Sequence, residues 1–115
     1  MRLLVCGSRN WREHGPIRRE ILARQPDIII EGGAPGADLL SRDVAIQLGI
    51  SFLEFSAEWK RYGRAAGPIR NKRQLVEGKP DEVIAFHQDI EQSKGTADMV
   101  KQALKKGIPV TVYDS

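Results

Sequence analysis

The chain has 115 residues, 41% hydrophobic and 29% charged, with 18 Lys and Arg against 15 Asp and Glu for a formal net charge of +3. That length suits one domain with a genuine core, spanning residues 1–115, and no apolar run approaches the length needed to cross a bilayer, so a membrane protein is not expected. A lone cysteine, Cys6, cannot form an internal disulfide, no His/Cys group has zinc spacing, and the first residues lack a signal peptide's apolar core, so the expectation is a cytoplasmic protein with no structural metal and no identified cofactor.

Arg2-Leu3-Leu4-Val5-Cys6 is a short apolar run ending in Gly7-Ser8-Arg9, which predicts a central strand delivering a small-residue turn and an arginine to the edge of a sheet. Pro16 suits the first turn of a helix with Ile17, Ile21 and Leu22 toward the sheet, and Pro26 closes that segment. Ile28-Ile29-Ile30-Glu31 shows no alternation, as in a strand covered on both faces. It leads through Gly32-Gly33-Ala34-Pro35-Gly36 into Ala37-Asp38, where Leu39, Leu40, Val44 and Leu48 recur at helical spacing. Free amides at that helix start would form an anion cradle.

Gly49 is placed to end this helix, and Ile50 to Phe55 resumes strand character. Ser56 to Gly67 has charge and aromatic residues without a period and reads as a long loop over the sheet edge. Pro68 to Val76 reads as a helix with Ile69, Leu75 and Val76 as apolar contacts, stopped by Gly78-Lys79-Pro80. Glu82 to Phe86 is a buried strand, followed by Ser93-Lys94-Gly95-Thr96 and a helix with Met99, Val100, Ala103 and Leu104 on one face. Gly107 ends it, and Ile108 to Tyr113 is the last strand. Five strands alternating with four helices predict an α/β, three-layer Rossmann-like domain with a five-stranded, mainly parallel sheet and helices on both faces.

In such a sheet ligands bind beyond the carboxyl ends of the strands. Gly7-Ser8-Arg9, Gly32 to Asp38, and Ser93 to Thr96 all end there, and together they would enclose a phosphate with helix N-termini and the Arg9 guanidinium. The segment from Trp59 to Arg73 carries Lys60, Arg61, Arg64, Arg70, Lys72 and Arg73 with no acid, a local positive patch. Several residues admit two readings. Asp38 either complements its helix or touches a ribose, Trp59 and Tyr62 either stack on a base or pack the loop, and His87 is a proton donor or a polar edge residue. Cys6 reads as a small buried hydrophobe, and His14 has no visible partner.

Five ordered motifs, Gly7-Ser8-Arg9, Gly32 to Asp38, Trp59 with Tyr62-Gly63, Ala66-Gly67 with Arg70-Asn71, and Gly95-Thr96, resemble the small YspA/YpsA-related branch of the SLOG superfamily. That superfamily joins the Rossmann-like folds of DprA/Smf proteins and of the "lonely guy" phosphoribohydrolases. The resemblance implies binding of a nucleotide or nucleotide derivative, a homodimer, and ligand or phosphate contacts at Gly7, Ser8, Arg9, Gly32, Gly33, Ala34, Pro35, Gly36, Ala37, Asp38, Arg70, Asn71, Gly95 and Thr96. Enzymatic members carry a Pro-Gly-Gly-x-Gly-Thr-x-x-Glu loop. Here the Gly95-Thr96 pair is kept, and Met99 stands where the catalytic glutamate would be. A nucleoside monophosphate N-glycosidase is therefore the alternative reading, with Arg70, Asp98 and Glu31 as catalytic candidates. Asp98 lies about 100° around the helix from position 99. A second alternative makes residues 59–73 a nucleic-acid surface.

Overall fold

Arg2–Gly7 forms the central strand, β1, of a five-stranded sheet in the computed structural model, which describes residues 1–115. The other strands are β2 (Ile28–Glu31), β3 (Ser51–Glu54), β4 (Glu82–Phe86) and β5 (Val110–Tyr113), and the order is β3-β2-β1-β4-β5. All four neighbouring pairs are parallel, with Leu4 opposite Ile30 on one side and Val83 on the other. The helices are α1 (His14–Arg24), α2 (Ala37–Leu48), α3 (Trp59–Tyr62), α4 (Ala66–Val76) and α5 (Gly95–Lys105). The α/β, three-layer Rossmann-like fold expected from the strand–helix alternation is the one observed.

Side-chain alternation along the strands builds two cores. Leu3, Val5, Ile29, Ile84 and Phe86 point to the face covered by α1 and α2, where they meet Ile17, Ile21 and Val44. Leu4, Ile30 and Val83 point to the opposite face, against Leu75 of α4 and Met99 and Ala103 of α5. This double coverage explains why β1 and β2 carry uninterrupted apolar runs: a polar residue at either parity would be buried. Each fully buried Leu or Ile side chain contributes about 1.5–3 kcal/mol. Trp11 adds an edge contact to Phe86 at 5.5 Å between ring centres, and Tyr113 stacks on the same ring at 5.2 Å.

Three expectations are corrected. Residues 56–67 are not one long loop: Trp59–Tyr62 is a short helix, Gly63–Ala65 a 3₁₀ turn, and α4 begins at Ala66 rather than Pro68. Their pieces are too short to show a 3.6-residue period. Leu22 is exposed, because it sits about 140° around the helix from Ile17. Val76 and Leu104, at the solvent flank of α4 and α5, are exposed as well. Gly49 ends α2 in the left-handed conformation, as its position in the sequence anticipates.

Candidate functional site

Strand order reverses across β1, and the loops leaving the C-terminal ends of β1, β2 and β4 border one cavity of about 540 Å³ at that crevice. Among the anticipated residues it is lined by Gly7, Ser8, Arg9, Gly32, Gly33, Ala34, Pro35, Asp38, Trp59, Arg70, Asn71, Gly95 and Thr96. Gly36, Ala37, Glu31, Asp98 and Tyr62 are not among its lining.

Gly36 and Ala37 serve the wall rather than its surface. A Cβ on Gly36, whose φ is +82°, would lie 2.2 Å from the Ser8 carbonyl oxygen and 2.6 Å from the Arg9 carbonyl carbon, so only glycine lets the β2 loop dock on the β1 loop. The Ala37 amide donates to the Ser8 carbonyl at 3.1 Å and fixes that docking. Amides of the loop before α2 and of the first turn of α5, expected to be free, are engaged. Gly33 N donates to Glu31 Oε1 at 2.7 Å and Ala34 N to Asp38 Oδ2 at 3.2 Å. At α5, Ser93 Oγ accepts from the Thr96 and Ala97 amides at 2.9 and 3.3 Å. Buried amides need partners, and short polar side chains supply them here.

Asp38 and Arg70 brace the glycine loop together. Asp38, the second residue of α2, turns its carboxylate back onto Ala34 and does not cap its own helix. Burial raises its pKa to about 6, with the Arg70 guanidinium and the loop amides pulling the other way. Arg70 Nη1 donates to the Gly32 carbonyl at 2.9 Å, and Nε donates to Asn71 Oδ1 at 3.1 Å. A Cβ on Gly32 would lie 2.2 Å from that guanidinium nitrogen, so a larger residue there would push Arg70 aside. Asn71, buried on α4, donates from Nδ2 to the Gly95 carbonyl at 3.1 Å and to Asp98 Oδ2 at 2.9 Å. Neighbouring residues of α4 thereby tie the β2 loop to the start of α5.

The carboxylates proposed for catalysis lie elsewhere. Glu31 is fully buried behind the loop, with Oε2 unpartnered, and desolvation raises its pKa to about 8, helped by Glu54 and Asp38. Asp98 accepts from Asn71 and from Gln102 Nε2 at 2.7 Å. Met99 does line the cavity and is 1% exposed, so the position of the relatives' glutamate presents a thioether. Asp38 is the carboxylate that borders the cavity.

Exposed cations sit on the rim: Arg9 follows β1, and Lys94 precedes α5. Neither takes part in an ion pair. His87 also lines the cavity, and its Nδ1 accepts from the Asp89 amide at 2.9 Å. Trp59 stands on the opposite rim with an exposure of 59%, over Gly67. Tyr62 turns away and carries the Arg61 guanidinium 5.0 Å from its ring centre. The basic segment is divided: Arg70 faces the loop, whereas Arg73 pairs with Glu77 at 2.9 Å and covers Phe55. Ser93 and Lys94 line it, as the Ser93 to Thr96 segment anticipates, whereas sequence reasoning missed Cys6, Asn10, Ser56, Ala57 and Gln74 as lining residues. Only Gln74 had a signal, the three-residue spacing from Asn71 that puts both on one face of α4.

Residues 1–62 match the family described as YspA, cpYpsA-related SLOG. No curated protein sequence matches the chain. Among solved structures, DNA processing protein A (DprA) from Streptococcus pneumoniae is similar, with a TM-score of 0.75 at 18% identity over 96% of this chain. At that identity the likeness is one of fold, and the chain spans 49% of the DprA chain.

Proposed function

We propose, the chain being a member of the YspA, cpYpsA-related SLOG family, that its cavity binds a nucleotide or a nucleotide-derived ligand. The observation that carries this reading is the convergence of three strand-end loops on one crevice that has unpaired cations on its rim, Arg9 and Lys94, and glycines along its wall. A cavity of about 540 Å³ is in the range that holds a ligand of nucleotide size. The phosphate belongs at the rim between Arg9 and the start of α5. The Asp38 carboxylate and the committed Arg70 guanidinium make the β2 side a poorer anion site. Trp59 offers a face for the base. The N-glycosidase alternative keeps Asp38 as its one carboxylate within the cavity, a weak basis for stabilising an oxocarbenium-like state beside an arginine.

Calorimetric titration against nucleoside mono-, di- and triphosphates, nucleotide sugars and dinucleotides tests the proposal. Binding is expected for at least one class and should fall tenfold or more in the Arg9→Glu/Lys94→Glu double variant, whose side chains are outside the packing. Absence of binding by the wild type, or binding unchanged in that variant, refutes it.

A second reading rests on Lys60, Arg61 and Arg64, which are exposed on the segment that follows Trp59. Nucleic acid on this surface would bind with steep salt dependence. A gel shift at low salt that shows no retardation removes it.

A further inference from the structure

Gln74 is 2% exposed, lines the cavity, and makes no side-chain hydrogen bond within the protein, yet its amide atoms are not sealed from the cavity. A carboxamide held by a packed helix face, open to a cavity and not engaged by the protein, has its donors and acceptor free for a ligand. Its surroundings are informative. α4 and α5 are held side by side by Asn71 and by Gln102 Nε2, which donates to the Pro68 carbonyl at 3.3 Å. Gln74 follows Asn71 by one turn, and Met99 follows Thr96 by one turn, so these four line the inner end of the cavity between the two helices. The Thr96 hydroxyl, on a residue 7% exposed, likewise makes no hydrogen bond within the protein. None of the four carries a charge. The charges that touch them meet at Asn71, which accepts from Arg70 Nε and donates to Asp98 Oδ2, and these oppose one another.

We infer that this inner end is a subsite for a neutral group presenting a donor and an acceptor together, and that Gln74 is the residue that reads it. A carboxamide offers one acceptor and two donors in fixed geometry, complementary to a vicinal diol or to the amide-like edge of a base, and Met99 excludes water beside it. The one cation that touches this end, Arg70, is engaged by Asn71 and the Gly32 carbonyl, consistent with the phosphate at the Arg9 and Lys94 rim. The inference rests on the nucleotide reading for its ligand, while the subsite itself is defined by Gln74, Thr96 and Met99. Selectivity follows because an analogue lacking the group leaves the carboxamide unpaired in the complex as well.

Two measurements on the intact chain test this. In the first, adenosine 5′-monophosphate, its 2′,3′-dideoxy analogue and purine riboside 5′-monophosphate are titrated into the wild type, Gln74→Leu and Gln74→Glu. Wild type is expected to prefer the monophosphate over one of the analogues by tenfold or more, which identifies the diol or the base edge as the source. Gln74→Leu should erase that preference while keeping its melting transition. Gln74→Glu, which keeps an acceptor but loses both N–H donors and adds a negative charge, should retain part of it. A preference equal in wild type and Gln74→Leu overturns the inference. In the second, the assigned Gln74 side-chain amide resonance is followed by NMR during addition of D-ribose or of acetamide, without nucleotide. A saturable shift with one of these supports the subsite even if the monophosphate does not bind, an outcome that refutes the nucleotide reading alone. No shift with either probe, together with no preference in the first measurement, overturns the subsite itself.

Discussion

Replacing Gly36 by alanine isolates how the β2 loop is held against the β1 loop. The residue has φ +82° and ψ −129°, a region essentially closed to L side chains and costing about 1–3 kcal/mol to occupy. Beyond that strain, the new methyl would have to displace the Ser8 and Arg9 backbone, from which it would lie 2.2–2.6 Å. The displacement breaks the bond from the Ala37 amide to the Ser8 carbonyl, worth about 1 kcal/mol. A loss of about 2–4 kcal/mol follows, or a fall in melting temperature of roughly 8–16 °C for a domain of this size. Gly49→Ala is the control: it also has a positive φ, +70°, but no atom lies within 4 Å of its Cβ, so only conformational strain of about 1 kcal/mol applies. Differential scanning calorimetry of both variants separates strain from contact. If Gly36→Ala melts no lower than Gly49→Ala, the docking of the two loops does not depend on backbone contact, and the account of the cavity wall given above is wrong.

Four other outcomes are expected. Glu31 has its pKa raised to about 8 from an ordinary carboxylate value near 4.5, so the folded state binds more protons than the unfolded one between those values and stability should fall as pH rises from 4.5 to 8. Glu31→Gln, which keeps the acceptor for Gly33 N, should flatten that slope and gain up to about 4 kcal/mol above pH 8, read from urea midpoints against pH; an unchanged slope contradicts the burial argument. Asn71→Ala removes bonds to Gly95 and Asp98 and the acceptor for Arg70, and should cost about 2–4 kcal/mol while raising amide exchange at the start of α5. Cys6, expected as a buried hydrophobe, is half-buried and lines the cavity, and its thiol is pushed far up by desolvation and by Asp38, so a thiol reagent at pH 8 should label it more slowly in the native protein than in denaturant. Trp11 is 3% exposed and Trp59 is 59% exposed, so acrylamide should quench Trp59 selectively, and a ligand stacked on it should protect it; equal quenching with and without ligand removes Trp59 from the site.

Much of this arrangement is legible in the residues alone, and the parts that are not have physical causes. Ile28 to Ile30 announced a doubly covered strand because consecutive apolar residues must face opposite ways, and Ile29 and Ile30 do lie in different cores. Gly7, Gly32 and Gly33 reached the cavity because strand ends carry the ligand crevice of a parallel sheet. Arg70 was read as a free phosphate contact, whereas its guanidinium holds the Gly32 carbonyl; a pairing across 38 positions leaves no local pattern. The amides of the glycine loop and of the α5 start read as open in the sequence, but Glu31, Asp38 and Ser93 occupy several of them, and short polar residues near glycines do not reveal in sequence which amide they take. Gln74 was passed over because one polar residue on a helix is usually solvated, and only the packing of α4 on α5 buries it.

The place of β1 at the centre of the sheet has a consequence for how the molecule is made. Its partner on one side, β2, follows within a few dozen residues, but its partner on the other, β4, begins only at Glu82. At about 5–20 residues per second, translation leaves the free edge of Leu3 to Gly7 bare for roughly 4–15 s. During that interval the nascent chain presents an unpaired, apolar central strand, a template for association with other chains. Arg70, Asn71 and Gly95, which join the loops around the cavity, all belong to the later half, so the crevice is assembled last. A chain interrupted after Tyr62 should therefore aggregate rather than fold. In the 115-residue chain, the appearance of the crevice marks the completion of the sheet.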